Sequence, residues 1–261
     1  MNNIFFYEKN ESARRSDQYS THARRAFNTI YYLLQYDINS GKIHQVKNSE
    51  YFDIEFSFFR KMMNLEKVES YIKEIQEALT ELQEPIELHN FEHPQDSTVY
   101  DRYRIVPISE VRLYINEQGK RIASIALSPL IKWLMIHTNE GNFTKLELIP
   151  MVNKLRTKYA MKLYEFLKSF ENYGYVDMHK DYLIKLLGLE HAKTYQRFFE
   201  LKRLLNRQIK EITSKTDLKS PQLETERSQK RFIFYLDPNK TSKASEEDIQ
   251  RVAEKLSNRF A

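Results

Sequence analysis

An internal repeat is the feature that most narrows what this chain can fold into. Residues 58–73, Phe-Phe-Arg-Lys-Met-Met-Asn-Leu-Glu-Lys-Val-Glu-Ser-Tyr-Ile-Lys, lie without a gap over residues 182–197, Tyr-Leu-Ile-Lys-Leu-Leu-Gly-Leu-Glu-His-Ala-Lys-Thr-Tyr-Gln-Arg. Lys61 falls on Lys185, Leu65 and Glu66 on Leu189 and Glu190, and Lys73 on Arg197. Upstream, residues 26–36 resemble residues 160–170 with a slightly different spacing. Two amphipathic helices resemble one another by chance often enough; helix, turn and helix in the same order do so far less. The chain therefore reads as two diverged copies of one unit, and its 261 residues give room for two domains.

Each copy has the same local grammar. A first helix, near 22–37 and again near 156–171, repeats apolar residues at helical spacing, as in Ala160, Leu163, Tyr164 and Leu167. A short extended piece follows, 52–56 or 175–178. A short helix, 57–64 or 180–187, then ends on Asn64 or Gly188, residue types that accept the left-handed conformation of a helix C-terminus. A turn leads to a longer helix with Ser70 or Thr194 as its expected N-cap. That is a helix-turn-helix. Strands come next: 85–91 and 103–108, then 111–115 and 121–127 around Gly119, and in the second copy 231–236 after a polar loop at 220–229.

Helix-turn-helix plus hairpin is a winged helix, so the expected class is α+β, with two tandem winged-helix domains related by duplication. The boundaries fall at 1–127 for the first domain and 128–149 for a connection with a helix over 128–137. The second domain then spans 150–237, leaving a polar C-terminal helix or tail at 238–261.

The net charge of +5 is unevenly spread: +3 over 1–49, −6 over 50–149, +8 over 150–236 and zero beyond. A basic block beside an acidic one suggests a polyanion-binding module joined to something that meets protein. On a helical wheel the second long helix puts Phe198, Leu205, Ile209 and Ile212 on one side, with Leu201 at the edge. Lys193, Gln196, Arg197, Glu200, Arg203 and Arg207 fall on the other. Arginine forks guanine, glutamine can pair with adenine, and further cations meet phosphates, so this face suits a major groove. Charges on a helix face are often merely solvated; here they sit on the second helix of a helix-turn-helix, which favours DNA. Thr194 belongs to the same candidate interface, and Arg227, Lys230 and Arg231 in the wing would grip backbone or minor groove. The equivalent first-copy helix carries Glu69, Glu74, Glu77 and Glu81 around Lys67, Ser70 and Lys73. Carboxylates beside phosphates weaken binding, so this copy is the weaker DNA contact, using Lys67, Ser70 and Lys73, or serves dimerisation. Arg14, Arg15, Arg24 and Arg25 are further candidates for phosphate contact or for a solvated segment.

Catalytic signatures do not turn up. No Gly-x4-Gly-Lys-Ser/Thr phosphate loop is present, and the seven histidines include no His-x-His or His-Glu-x-x-His set. His89 and His93 are four apart but lack a third ligand, so neither a metal nor another cofactor is expected. Zero cysteines exclude a disulfide scaffold or thiolate chemistry and fit a reducing cytoplasm. No charged leader with a long apolar run opens the chain, and no membrane-length apolar stretch occurs. The expected localisation is cytoplasmic.

Residues 159–170, 182–189 and 195–217, the last holding Ile209-Lys210-Glu211-Ile212 and Thr216-Asp217, resemble the iteron-binding replication initiators of bacterial plasmids. The likeness is best over 150–236 and extends back to about residue 20. It implies tandem winged helices, with the C-terminal recognition helix falling on Lys193 to about Arg207. It also implies binding to direct repeats at an origin, opening of adjacent A/T-rich DNA, and recruitment of the host initiator and replicative helicase. A homodimer made through the N-terminal domain, repressing its own gene, is implied as well. The acidic N-terminal recognition helix departs from that pattern. Two other readings compete: a winged-helix transcriptional regulator without a replication role, and a rolling-circle nickase, which needs the histidine cluster that is missing.

Overall fold

A computed structural model describes residues 5–9, 19–93, 98–136, 143–147, 154–218 and 221–236. The chain divides into two compact units. Of the described residues, the first holds 5–9, 19–86 and 105–158, and the second holds 87–104 and 159–236.

The first unit opens with strand β1 (Phe5–Lys9), antiparallel to β7 (Phe143–Glu147). Helix α1 (Thr21–Asp37) is N-capped by Ser20, whose hydroxyl accepts from the Ala23 amide at 3.1 Å. After a π-turn and α2 (Ile43–Asn48) come β2 (Phe52–Glu55), α3 (Phe56–Met62) and α4 (Tyr71–Glu81). Strands β3 (Ile86–Glu92) and β4 (Val99–Ile105), whose residues 87–104 belong to the second unit, pair as a separate hairpin. Strands β5 (Ile108–Ile115) and β6 (Arg121–Leu127) form the wing, and α5 (Pro129–Ile136) follows. Gly119 makes the wing turn possible with φ of 73°. Asn116 closes that turn by accepting the Gln118 and Lys120 amides on its side-chain oxygen.

The second unit repeats this plan in shorter form: α6 (Lys158–Lys168), β8 (Tyr175–His179), α7 (Lys180–Leu186), α8 (Phe198–Lys215), β9 (Gln222–Glu226) and β10 (Arg231–Tyr235). Ala160, Leu163, Tyr164 and Leu167 are all fully buried.

Duplication is visible in topology and in individual hydrogen bonds. The sheets run β2-β6-β5 and β8-β10-β9, so in each the strand after the first helix pairs with the returning arm of the wing. Asn64 and Gly188 both adopt positive φ, 58° and 62°. Around them the same bonds recur at one constant offset. Leu65 N donates to Arg60 O and Leu189 N to Ile184 O, both at 2.8 Å. Val68 N donates to Leu65 O at 3.1 Å and Ala192 N to Leu189 O at 3.0 Å. The left-handed residue with a bond spanning five residues across it is a Schellman close, which ends the short helix and aims the chain into the turn. The fold is two tandem winged helices.

Several expectations need correction. The second long helix starts at Phe198, with Arg197 in the N-cap position, and not at Thr194. Residues Lys193–Gln196 form a 3-10 turn instead, closed by Tyr195 N to Ala192 O and Arg197 N to Thr194 O. Ser70 does hold the N-cap position of α4, but its hydroxyl caps nothing and leans on Glu74 at 3.4 Å. The loop expected at 220–229 contains strand β9, whose polar side chains hid its alternation: only Leu223 and Thr225 turn inward. The β1–β7 pair lies where no strand was expected. Arg24 and Arg25 are 2% and 8% exposed, which withdraws them from phosphate contact. Arg25 instead donates to Met63 O at 2.9 Å and Leu155 O at 3.1 Å, and burial lowers its pKa. Arg14, Arg15 and the polar C-terminal helix or tail expected at 238–261 lie outside the described residues.

Candidate nucleic-acid interface

In the second unit, α8 presents two chemically distinct sides. Leu201, Leu204, Leu205, Ile209 and Ile212 are buried, together with the amide-bearing Gln208. Phe198, expected in the core, is half-buried and stacks on Phe232 of β10, with ring centroids 4.5 Å apart and planes 22° apart. Lys202 reaches across to β9 and donates to Thr225 Oγ1 at 2.9 Å. These two contacts fix the first turns of α8 against the wing.

The outward stripe carries Phe199, Arg203, Asn206, Arg207 and Lys210, all exposed. Phe199, Arg203 and Arg207 follow at four-residue steps, and Asn206 and Lys210 each lie three residues beyond an arginine, so they form one ridge along the helix. Neither Arg203 nor Arg207 makes a hydrogen bond or ion pair with the other described residues. Two uncommitted guanidiniums one turn apart can each fork a guanine edge or meet a phosphate.

Residues ahead of the helix have different tasks. Lys193, Thr194 and Arg197 are exposed, but they belong to the 3-10 turn and its exit and do not continue the helical ridge. Gln196 is exposed too, yet its amide nitrogen donates to Leu189 O at 3.1 Å and Glu190 O at 3.2 Å. Pairing with adenine would require it to give up those bonds. In the first unit the equivalent carbonyls, Leu65 O and Glu66 O, receive Arg60 at 3.5 and 2.8 Å. Different side chains thus staple the same turn in the two copies.

The wing turn spans residues 227–230, with Arg227 and Lys230 exposed at its tip. Lys230 has φ of 55°, a left-handed conformation that disfavours a side chain by roughly 1–2 kcal/mol. Arg231 is half-buried, and its Nε donates to both carboxylate oxygens of Asp177 at 2.9 and 2.8 Å. That bond ties β10 to β8, so Arg231 serves the sheet.

In the first unit the candidate cations are more sparsely placed. Lys73 pairs with Glu77 at 3.6 Å, Ser70 faces Glu74, and Lys67 is exposed without an ion-pair partner among the described residues. The wing here exposes apolar side chains on β5 where the second is basic at its tip: Leu113, Tyr114 and Ile115 are 40%, 43% and 61% exposed. On the same strand, Arg112 stacks on the Tyr51 ring at 3.9 Å and donates to Glu110 at 2.7 Å. The Glu110 carboxyl is held below its ordinary pKa first by that Arg112 bond and then by the Tyr51 hydroxyl.

Sequence reasoning missed Phe199, the Gln196 staple and the Arg231–Asp177 pair. The wheel held a signal for the first, since Phe199 falls on the Arg203 side. Among the described residues no group of three His, Asp or Glu is arranged to hold a metal, and no helix is long and apolar enough to cross a membrane.

A family model described as "Initiator Replication protein, WH1" matches residues 11–168. The match lies on the N-terminal part, whereas the resemblance in sequence reads best over 150–236. No curated protein sequence matches. A crystal structure of selenomethionine derivatives of domains 2 and 3 of RctB superposes with a TM-score of 0.46 at 9% identity, covering 83% of this chain and 82% of that one.

Proposed function

This chain belongs to the initiator replication protein family, and from that premise we propose that it starts plasmid replication by binding direct repeats in duplex DNA at the origin. The observation that carries the proposal is the ridge on α8: exposed Arg203 and Arg207 stand without a partner among the described residues, on the second helix of a helix-turn-helix. Helix α8 enters the major groove, and Arg227 and Lys230 at the wing tip meet phosphates or the minor groove. Lys193, Thr194 and Arg197 contact the backbone at the groove's edge. Opening of adjacent A/T-rich DNA follows binding, and the host initiator and replicative helicase are then recruited to the opened strand.

The division of labour assigns reading to residues 150–237 and dimerisation to residues 1–127, joined through 128–149. Support comes from the contrast between the two wings, the second cationic at its tip and the first exposing Leu113, Tyr114 and Ile115, and from the α4 carboxylates Glu74 and Glu77, which engage Ser70 and Lys73. As a homodimer the protein also represses its own gene. It acts by binding alone, in the cytoplasm, with no catalytic step, metal or cofactor.

The test is maintenance of a minimal plasmid carrying the gene and its flanking repeats. An Arg203→Ala, Arg207→Ala double variant that folds should fail to maintain it. Maintenance without the protein would remove the replication role and leave a transcriptional regulator.

A further inference from the structure

Two adjacent phenylalanines open α8, and about 100° of helix rotation separates them. Phe198 is stacked on Phe232 of the wing, while Phe199 is 72% exposed, the most exposed large apolar side chain among the described residues. Leaving an aromatic ring in water forfeits the burial that usually justifies it, so its neighbours decide what it is for. Those neighbours are mainly cations, with the carboxylate of Glu200 beside them. Arg203 lies one turn further along the same ridge, Arg207 two, and Arg197 stands just before the helix. Phenylalanine and arginine also populate protein interfaces, so it is the place of this ridge, on the second helix of a helix-turn-helix, that selects DNA. The ridge suits a polyanion with an apolar feature within reach of the helix's first turn. In a helix-turn-helix that first turn points at base edges, and the apolar feature of the major groove is the thymine C5-methyl group.

We propose that Phe199 is a specificity-determining residue that reads a thymine through its C5-methyl group, while Arg203 and Arg207 supply the polar and phosphate contacts around it. The inference rests on the proposed DNA-binding role of α8 and adds the base class it selects. The stack of Phe198 on Phe232 is the positioning contact, because it sets the helix's rotation and sends the next side chain outward.

The experiment uses the full-length protein and its Phe199→Ala variant. The wild type first selects its preferred duplex from a randomised library, and each thymine of that duplex is then replaced in turn by deoxyuridine, which removes only the methyl. At one thymine the replacement should weaken wild-type binding about fourfold, the loss expected for one methyl contact. The same replacement should leave Phe199→Ala unaffected, while other thymines act alike on both proteins. Phe199→Leu, which keeps an apolar side chain, should retain part of the effect. Identical deoxyuridine profiles for wild type and Phe199→Ala would overturn the proposal while leaving DNA reading by α8 intact, and would return Phe199 to a protein contact. If the wild type enriches no sequence from the library, the DNA-reading role itself falls, and this inference with it.

Discussion

Replacing Gln196 with alanine separates a residue that reads DNA from one that holds the reader in place. Its amide donates to Leu189 O and Glu190 O, at 3.1 and 3.2 Å. Each such bond contributes about 0.5–1.5 kcal/mol net, and water can replace part of it at an exposed site, so the local loss should be about 1 kcal/mol. The Leu189 carbonyl also accepts the Ala192 amide, which makes this turn the place where the loss is felt. Hydrogen exchange at the Leu189, Ala192 and Tyr195 amides is therefore the assay. In Gln196→Ala they should exchange about fivefold faster, which is 1 kcal/mol expressed as a ratio, while amides of the first unit stay unchanged. Arg60→Ala should do the same to Leu65 and Val68, since Arg60 holds the equivalent carbonyls and also stacks on Tyr71 at 4.3 Å. Unchanged exchange in Gln196→Ala, together with lost discrimination at one A·T pair, would refute the reasoning and make Gln196 a base reader.

The wing tip, the α8 ridge, a buried arginine and a half-buried lysine supply the other predictions. Lys230→Gly should relieve the left-handed strain and raise stability by up to about 1 kcal/mol, yet flatten the salt dependence of DNA binding by about one ion. A less stable Lys230→Gly with an unchanged slope would contradict both halves. Arg203→Ala should cost about 1–3 kcal/mol against the preferred duplex and relax selectivity at one base pair; a uniform loss across all sequences would make it a phosphate contact. Arg25→Ala leaves the Met63 and Leu155 carbonyls without their buried donor, and should cost about 2–4 kcal/mol. The urea midpoint followed by Trp133, the single tryptophan, reports that loss from the first unit. Lys168 lies 2.6 Å from Glu171 and 2.8 Å from Asp217. Burial lowers its pKa, and the bonds to Asp217 and Glu171 outweigh that, leaving it above 10.5. A raised folded pKa gives stability that is complete below the unfolded value and lost as pH rises through the folded one. The stability gap between wild type and Lys168→Gln should therefore be constant at neutral pH and close above pH 10.5; a gap that widens there would reverse the sign.

Local chemistry made the repeat legible. Asn64 and Gly188 announce the left-handed close of α3 and α7, and the apolar spacing of Ala160, Leu163, Tyr164 and Leu167 marks a buried helix before any packing is known. The wings were legible to different degrees. Gly119 punctuates the first, whereas the second turns on Lys230, a residue type that advertises no turn at all. Strand β9, Gln-Leu-Glu-Thr-Glu, reads as a loop because an edge strand with one half-covered face needs little apolar content. Arg24, Arg25 and Arg231 show the limit of charge as a guide. A cation looks the same in sequence whether it faces water, caps buried carbonyls or ties two strands, and only the fold decides which. Lys193 and Gln196 illustrate the corresponding limit of the helical wheel, which assumes that the helix has already begun. It begins at Phe198, so the ridge that remains is Phe199, Arg203 and Arg207.

The most direct test of the account is a footprint of the full-length protein on duplex DNA spanning its own gene and upstream flank, taken across a salt series. Repeated protected sites about two helical turns apart, persisting at physiological salt and lost in the Arg203→Ala, Arg207→Ala variant, are the predicted result. Weak protection everywhere that vanishes as salt rises, or full protection by that variant, would contradict it: the ridge on α8 would then be only a charged surface.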